Sequence, residues 1–231
     1  MKTIILAAGN GKRMHPLTLE TPKPMLKLAG KPLLEHIVRA LPEEVDELIL
    51  VVGYKAGQII RHFGKRFSRF RIQYVTQSSS RGTYPALQLC ERLLEPGERF
   101  LLLYADDIHG AVGLQKCVDC GELSLLTSVV EDPSRFGVLT VSKGWVKEVE
   151  EKPLRPKSNI ISNGAMVLDT DVFMFGPKLH PTGEYYLSDA IAEMIKAGYR
   201  FKAVPSSLWI PIAYPKDLER AEFHFAQAEL V

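Results

Sequence analysis

Four short, largely apolar runs recur along the first half of the chain: Ile4–Ala8, Leu48–Val52, Ile72–Val75 and Phe100–Tyr104. Runs of this length suit strands buried on both faces of a sheet. Between them the spacing predicts helices over Pro32–Ala40, Ala56–Phe63 and Tyr84–Leu94, the first opening on a proline that suits an initial helical position. A β-α-β-α rhythm of this kind builds a mostly parallel, three-layer α/β sheet. Ligands bind such sheets at the carboxyl ends of the strands. A glycine turn, Gly9-Asn10-Gly11, follows the first run, and an acidic pair, Asp106-Asp107, follows the fourth.

The second half changes character. Ser124–Val130, Gly137–Val141, Trp145–Glu150 and Ile160–Leu168 read as short strands with hairpin-type connections, and helix signals return at Leu187–Lys196 and Pro215–Ala228. This describes a mixed lobe joined to the sheet without a linker, so residues 1–231 are expected to form a single domain. Its first half, 1–115, carries the glycine turn and the acidic pair.

A chain of 231 residues can bury a full core. Its net charge of +2 is too small to imply nucleic-acid or membrane binding. Lysines and arginines crowd Arg61–Arg71 with Phe63, Phe67 and Phe70 among them, and their spacing predicts a solvated cationic face over buried aromatics. No apolar run approaches a membrane span, and the N-terminus lacks the pattern of a signal peptide. Three cysteines cannot all pair, which suits a reducing, cytoplasmic setting. Cys117 and Cys120 have C-x-x-C spacing but no second pair or histidine cluster, and are expected to be two helix thiols.

The opening loop carries the chemistry. Gly9 and Gly11 leave successive amides uncovered, and bare amides in a turn form a concave seat for an anion. Lys12 and Arg13 follow at once, and Lys23 sits between two prolines on a stiff loop. Bare amides beside three cations suit a polyphosphate. The spacing matches neither of the common glycine-rich nucleotide motifs.

Three blocks then carry a resemblance: Leu6 to Thr18, Pro22-Lys23-Pro24-Met25-Leu26, and Gly30-Lys31-Pro32-Leu33-Leu34. In order and spacing the chain resembles the sugar-1-phosphate nucleotidylyltransferases, with Lys12 where that family usually has Thr or Ser. The resemblance implies a Rossmann-like nucleotide-diphospho-sugar transferase fold with a small sugar-binding lobe in residues 116–231. It implies transfer of a nucleotidyl group from a nucleoside triphosphate to a sugar 1-phosphate, with release of pyrophosphate. Mg²⁺ is the implied cofactor, and UTP or dTTP is favoured over GTP or CTP.

The resemblance also assigns residues. Arg13 and Lys23 would be catalytic, and Leu6, Ala7, Ala8, Gly9, Gly11 and Lys12 would hold the nucleotide with Gln77, Gly82 and Thr83. Asp106 aligns with the family's metal-binding aspartate. Gly137, Glu151, Lys152, Ser162, Asn163 and Glu184 would meet the sugar phosphate. Tyr84-Pro85 departs from the family near the base, and Pro211 stands where the family has its second metal carboxylate. Proline cannot ligate, so Asp106 suffices with water and phosphate, or Asp107 substitutes, or the metal site is defective. Two other readings follow: a silent relative that binds a nucleotide-sugar and regulates a partner, and a transferase acting on a non-sugar acceptor such as phosphocholine. A homo-oligomer is compatible with these residues, which carry no signal for one.

Overall fold

The computed structural model describes residues 1–79 and 81–228. The first half runs β1 (Lys2–Ala7), β2 (Lys27–Leu28), β3 (Lys31–Pro32), α1 (Leu33–Arg39), β4 (Glu47–Val52), α2 (Ala56–Phe63), β5 (Arg66–Phe67), β6 (Phe70–Thr76), α3 (Thr83–Gln88), β7 (Arg99–Tyr104), β8 (Asp107–His109) and α4 (Ala111–Asp119). The second half adds β9 (Leu123–Val129), β10 (Gly137–Ser142), β11 (Trp145–Glu151), β12 (Ile160–Asp169), α5 (Leu187–Lys196), β13 (Phe201–Pro205), β14 (Trp209–Pro211) and α6 (Pro215–Ala228).

Ten strands form one sheet in the order β10-β11-β13-β9-β12-β7-β1-β4-β6-β5. Parallel pairing joins β6, β4, β1 and β7, and recurs between β9 and β13. Strand β12 pairs antiparallel with both β7 and β9, so the mixed lobe grows directly from the parallel set. The expected three-layer α/β fold is borne out, with parallel pairing concentrated in the first half.

The apolar runs in β1, β4 and β7 are strands for the reason their composition gave, while β6, nearer the sheet edge, buries Phe70 and Ile72 and leaves Arg71 and Gln73 exposed. Along β1, β4 and β7, Ile5, Leu48, Leu50, Val52, Leu101 and Leu103 face one core, and Ile4, Ile49, Val51, Phe100 and Leu102 face the other. Strict alternation between two buried faces leaves no polar position in the run. Helices α1, α2, α4 and α6 cover the first face, and α3 and α5 cover the second. Phe63 and Phe70 are buried while Arg61, Arg66 and Arg71 stay in solvent, so the basic stretch is a solvated face. Cys117 is buried on α4, and the Cys120 thiol donates to the Cys117 carbonyl. Among the described residues no helix is long and apolar enough to cross a membrane.

Two details differ from the sequence reading. Helix α3 stops at Gln88 instead of reaching Leu94, because i→i+3 bonds from Cys90 and Leu93 tighten the chain and turn Cys90 into the core. The acidic pair does not sit in one turn. Asp106 does, but Asp107 opens β8, which pairs antiparallel with β14 in a ribbon too short to leave a periodic signal.

Because Leu102 lies fully buried in β7, between β1 and β12, Leu102→Ala should lower stability by about 3 kcal/mol through lost burial and a residual cavity. Urea unfolding followed by far-UV circular dichroism checks this.

Candidate active site

Strands β1 and β7 are adjacent and parallel, with Leu6 opposite Tyr104. The loops that follow them therefore leave the sheet side by side. The loop after β1 turns at Gly11, which holds φ 62, and a Cβ there would lie 3.0 Å from the Thr18 methyl and 3.2 Å from Lys23 Cβ. Thr18 fixes this turn from below, its hydroxyl donating to the Gly11 carbonyl at 2.8 Å. Among the described residues, the amides of Gly9, Asn10, Gly11 and Lys12 donate to no backbone carbonyl. The nest read from the sequence is present as bare donors.

Lys23 lies on a short 3₁₀ turn, Lys23–Met25, entered through Pro22. Its side chain is only 10% exposed, and its ammonium sits 3.2 Å from the Asp106 carboxylate, which is 44% exposed. The first and second sequence blocks and the acidic pair thus converge on one point.

A cavity of about 490 Å³ opens there. Leu6, Ala7, Ala8, Gly9, Gly11, Lys12, Arg13, Lys23, Gln77, Gly82, Thr83 and Asp106 all line it. A second cavity of about 280 Å³ is lined by Asp107, Gly137, Glu151, Lys152, Ser162, Asn163 and Glu184. Arg13, Thr83, Tyr104, Asp106, Glu184, Tyr186 and Ala213 line both, so the two spaces share a seam. Every residue to which the resemblance assigns catalysis or binding lies on one wall or the other, and each half of the chain lends residues to the cavity of the other.

Electrostatics in the smaller cavity are tightly arranged. The mostly buried Glu151 carboxylate, 10% exposed, accepts a hydrogen bond from Ser188 at 2.7 Å and lies 3.7 Å from the Lys152 ammonium. Burial raises the Glu151 pKa above the usual carboxylate value. Lys152 holds φ 44, a left-handed conformation that side chains rarely adopt. Its ammonium donates to the Tyr186 hydroxyl at 2.6 Å, and that hydroxyl donates to Glu184. Asn163 is buried, its amide nitrogen donating to Ser128 at 3.0 Å, while its side-chain oxygen has no partner among the described residues. A buried acceptor left open costs stability unless a ligand fills it.

Asp107 accepts a hydrogen bond from the Trp209 indole at 3.0 Å and faces Pro211 directly across the β8–β14 ladder. Burial first, and then the Asp106 charge beside it, push the Asp107 carboxyl up to about 7. Side chains directly opposite on a ladder share one face. A carboxylate therefore stands across the rung from position 211.

Sequence reasoning missed Tyr104, Tyr186 and Trp209. Tyr186 lies two residues from Glu184, and its part emerges only when Lys152 and Glu184 fold against it. Burial holds the Tyr104 phenol well above its usual range.

The family model described as nucleotidyl transferase matches residues 2–227. The chain belongs to the nucleotidyl transferase family. This nucleotidyltransferase is 34% identical over 233 residues to the UTP–glucose-1-phosphate uridylyltransferase AglF of Haloferax volcanii, covering 96% of this chain and 95% of that one. It is also 34% identical over 230 residues to the bifunctional protein GlmU of Methanococcus maripaludis, of which it spans 54%. Among solved structures, a candidate glucose-1-phosphate thymidylyltransferase from Bacillus anthracis in complex with sucrose superposes with a TM-score of 0.84 at 28% identity, over 97% of this chain and 94% of that one. A UDP-glucose pyrophosphorylase bound to UDP-glucose reaches a TM-score of 0.86 at 21% identity, covering 98% of each chain, a likeness of fold. The resemblance to sugar-1-phosphate nucleotidylyltransferases read from the opening blocks is borne out.

Three hydrogen bonds tie the chain around Gly82 to the residues flanking Tyr186, which lines both cavities. The Tyr185 amide donates to the Arg81 carbonyl at 2.8 Å, the Tyr84 amide returns a bond to Tyr185 at 3.2 Å, and the Leu187 amide donates to the Thr83 hydroxyl at 2.9 Å. Gly82 holds φ 114, and a Cβ there would lie 2.2 Å from the Tyr185 carbonyl oxygen. Gly82→Ala must therefore part the two segments. We expect nucleoside triphosphate affinity to fall by about tenfold or more, some 1.4 kcal/mol, with the far-UV spectrum unchanged. Isothermal titration checks this, and an affinity within twofold of wild type would contradict it.

Proposed function

We propose that this nucleotidyltransferase moves a nucleotidyl group from UTP or dTTP onto a sugar 1-phosphate, with glucose 1-phosphate the first acceptor to test, giving a nucleotide-sugar and pyrophosphate. The observation that carries the reading is the seam: a large cavity rimmed by bare amides and cations shares Arg13 and Asp106 with a smaller cavity lined by Glu151 and Lys152. Two anions held in those spaces meet where the cations are.

In the step itself, an oxygen of the acceptor phosphate attacks the α-phosphorus. The bond from that phosphorus to the bridging oxygen breaks, and the electron pair leaves with pyrophosphate. The acceptor is already ionised, so no general base is needed. Catalysis reduces to position and charge. The amides of Gly9 and Gly11, with Lys12, cradle the triphosphate, and Arg13 and Lys23 offset the charge that builds as the bond breaks. Gln77 offers donor and acceptor to the base edge, beside Gly82, Thr83 and the chain at Leu6, Ala7 and Ala8. Lys152 meets the acceptor phosphate, and Glu151, Asn163, Ser162, Gly137 and Glu184 the sugar.

The donor set at Asp106 and Asp107 fits Mg²⁺. Two adjacent carboxylates face the cavities, and no cluster of three or more His, Cys, Asp or Glu residues that could hold a metal ion occurs among the described residues. A pair of carboxylates completed by phosphate oxygens and water is what this ion prefers. Asp106 and Asp107 would hold the ion, which would supply positive charge to offset that of the phosphates. Asp107 then stands in for the carboxylate that Pro211 cannot supply. Residues 1–115 serve the nucleotide and 116–231 the sugar phosphate, within one catalytic domain. The cytoplasm is the compartment that suits Cys90, Cys117 and Cys120 as free thiols.

Nucleoside triphosphates crossed with sugar 1-phosphates, read by Mg²⁺-dependent pyrophosphate release, test the proposal. UTP or dTTP with a hexose 1-phosphate should rank first, and Arg13→Ala and Lys23→Ala should each lower turnover by about 10²–10³ with the fold intact. No pyrophosphate release with any pair would favour the silent nucleotide-sugar-binding reading that Pro211 motivates.

A further inference from the structure

Three cations gather on one aromatic ring at the mouth of the site. The guanidinium carbons of Arg13 and Arg135 lie 6.0 and 5.3 Å from the centre of the Tyr214 ring, and the Lys216 ammonium lies at 5.9 Å. Arg135 also donates to the Tyr214 hydroxyl at 3.3 Å. Among the described residues none of the three is within ion-pair distance of a carboxylate. The nearest acid in sequence, Asp217, is spent on the amides of Ala213 and Tyr214 at the start of α6.

Like charges repel, and an aromatic face offsets only part of that cost. Their gathering makes physical sense if an anion completes it. Arg135 is also held in place from both sides. Before it, Asp132 caps Ser134, and after it, Phe136 packs edge-on to Trp209 with its carbonyl accepting from the Lys152 amide at 3.0 Å. Arg135 lines the smaller cavity and not the larger one. Of the other two cations of that cavity, Arg13 is shared with the larger one and Lys152 is already engaged by Tyr186 and Glu151. A phosphate dianion arriving there meets, besides the shared Arg13, a lysine whose charge is largely compensated.

We propose that Arg135 is a second phosphate-binding cation of the smaller cavity, and that Tyr214 is its positioning residue, holding it beside Arg13 at the seam. This rests on the proposed function and names the part of the acceptor that Arg135 contacts: its phosphate. Arg13 and Arg135, docked on one ring, then bring the two reacting anions together from opposite lobes.

Turnover of the wild-type enzyme with UTP or dTTP tests the parent reading alone. The clamp is read separately, by isothermal titration of glucose 1-phosphate and of UTP into wild type and variants. Arg135→Ala should weaken glucose 1-phosphate at least tenfold and leave UTP within twofold, and Arg135→Lys should restore part of the loss. Tyr214→Ala should weaken the same ligand, while Tyr214→Phe, which keeps the ring, should weaken it much less. Should Arg135→Ala fail to fold, the two tyrosine variants decide. Unchanged glucose 1-phosphate binding, an equal loss for UTP, or no binding to wild type would each overturn the assignment.

Discussion

The pairing of β1 with β7 is the constraint on which the site depends. With Leu6 opposite Tyr104 in a parallel ladder, the chain leaves both strands at the same height. The glycine turn and Asp106 then face one space although almost a hundred residues separate them. A slip of that register by one residue would send every side chain of the strand to the other face. Two cores prevent it, because Ile4 and Leu102 pack on one side of the sheet and Ile5 and Leu103 on the other.

Charge is arranged on that frame with little waste. Lys23 is nearly buried, which is costly for an ammonium, and Asp106 lies within 3.2 Å to meet it. Asp106 remains partly open to the cavity, so its second oxygen is available. The bare amides of the glycine turn add donors that need no desolvation of a side chain. In the smaller cavity the same economy appears as a chain of hydrogen bonds from Lys152 through Tyr186 to Glu184. Because the Arg81–Thr83 segment is bonded to Tyr185 and Leu187, the walls of the two cavities are one connected structure.

Much of this was legible in the residues. Strands buried on both faces announce themselves as short apolar runs, and a glycine turn followed by Lys12 and Arg13 announces bare donors beside cations. Those signals are local. What escaped the sequence depends on chain segments that meet only in the fold. Asp107 faces Pro211 through a ribbon of three-residue strands a hundred positions apart, too short for any periodicity to show. Tyr214 gathers Arg13 and Arg135 from two other loops, and nothing in its own neighbourhood hints at either. The apolar spacing overruns the end of helix α3, because it continues through Cys90 and Leu94 after the backbone has tightened.

On the proposed function, Asp106 and the glycine turn form one site for a metal-bound triphosphate. Mn²⁺ in place of Mg²⁺ makes this directly observable, because the ion broadens the nuclear resonances of amides close to it. With UTP present, the amide signals of Gly9, Gly11 and Arg13 should broaden on addition of Mn²⁺, and Asp106→Asn should restore them. Sharp glycine-turn signals in the wild-type enzyme at saturating Mn²⁺ and UTP would contradict the account.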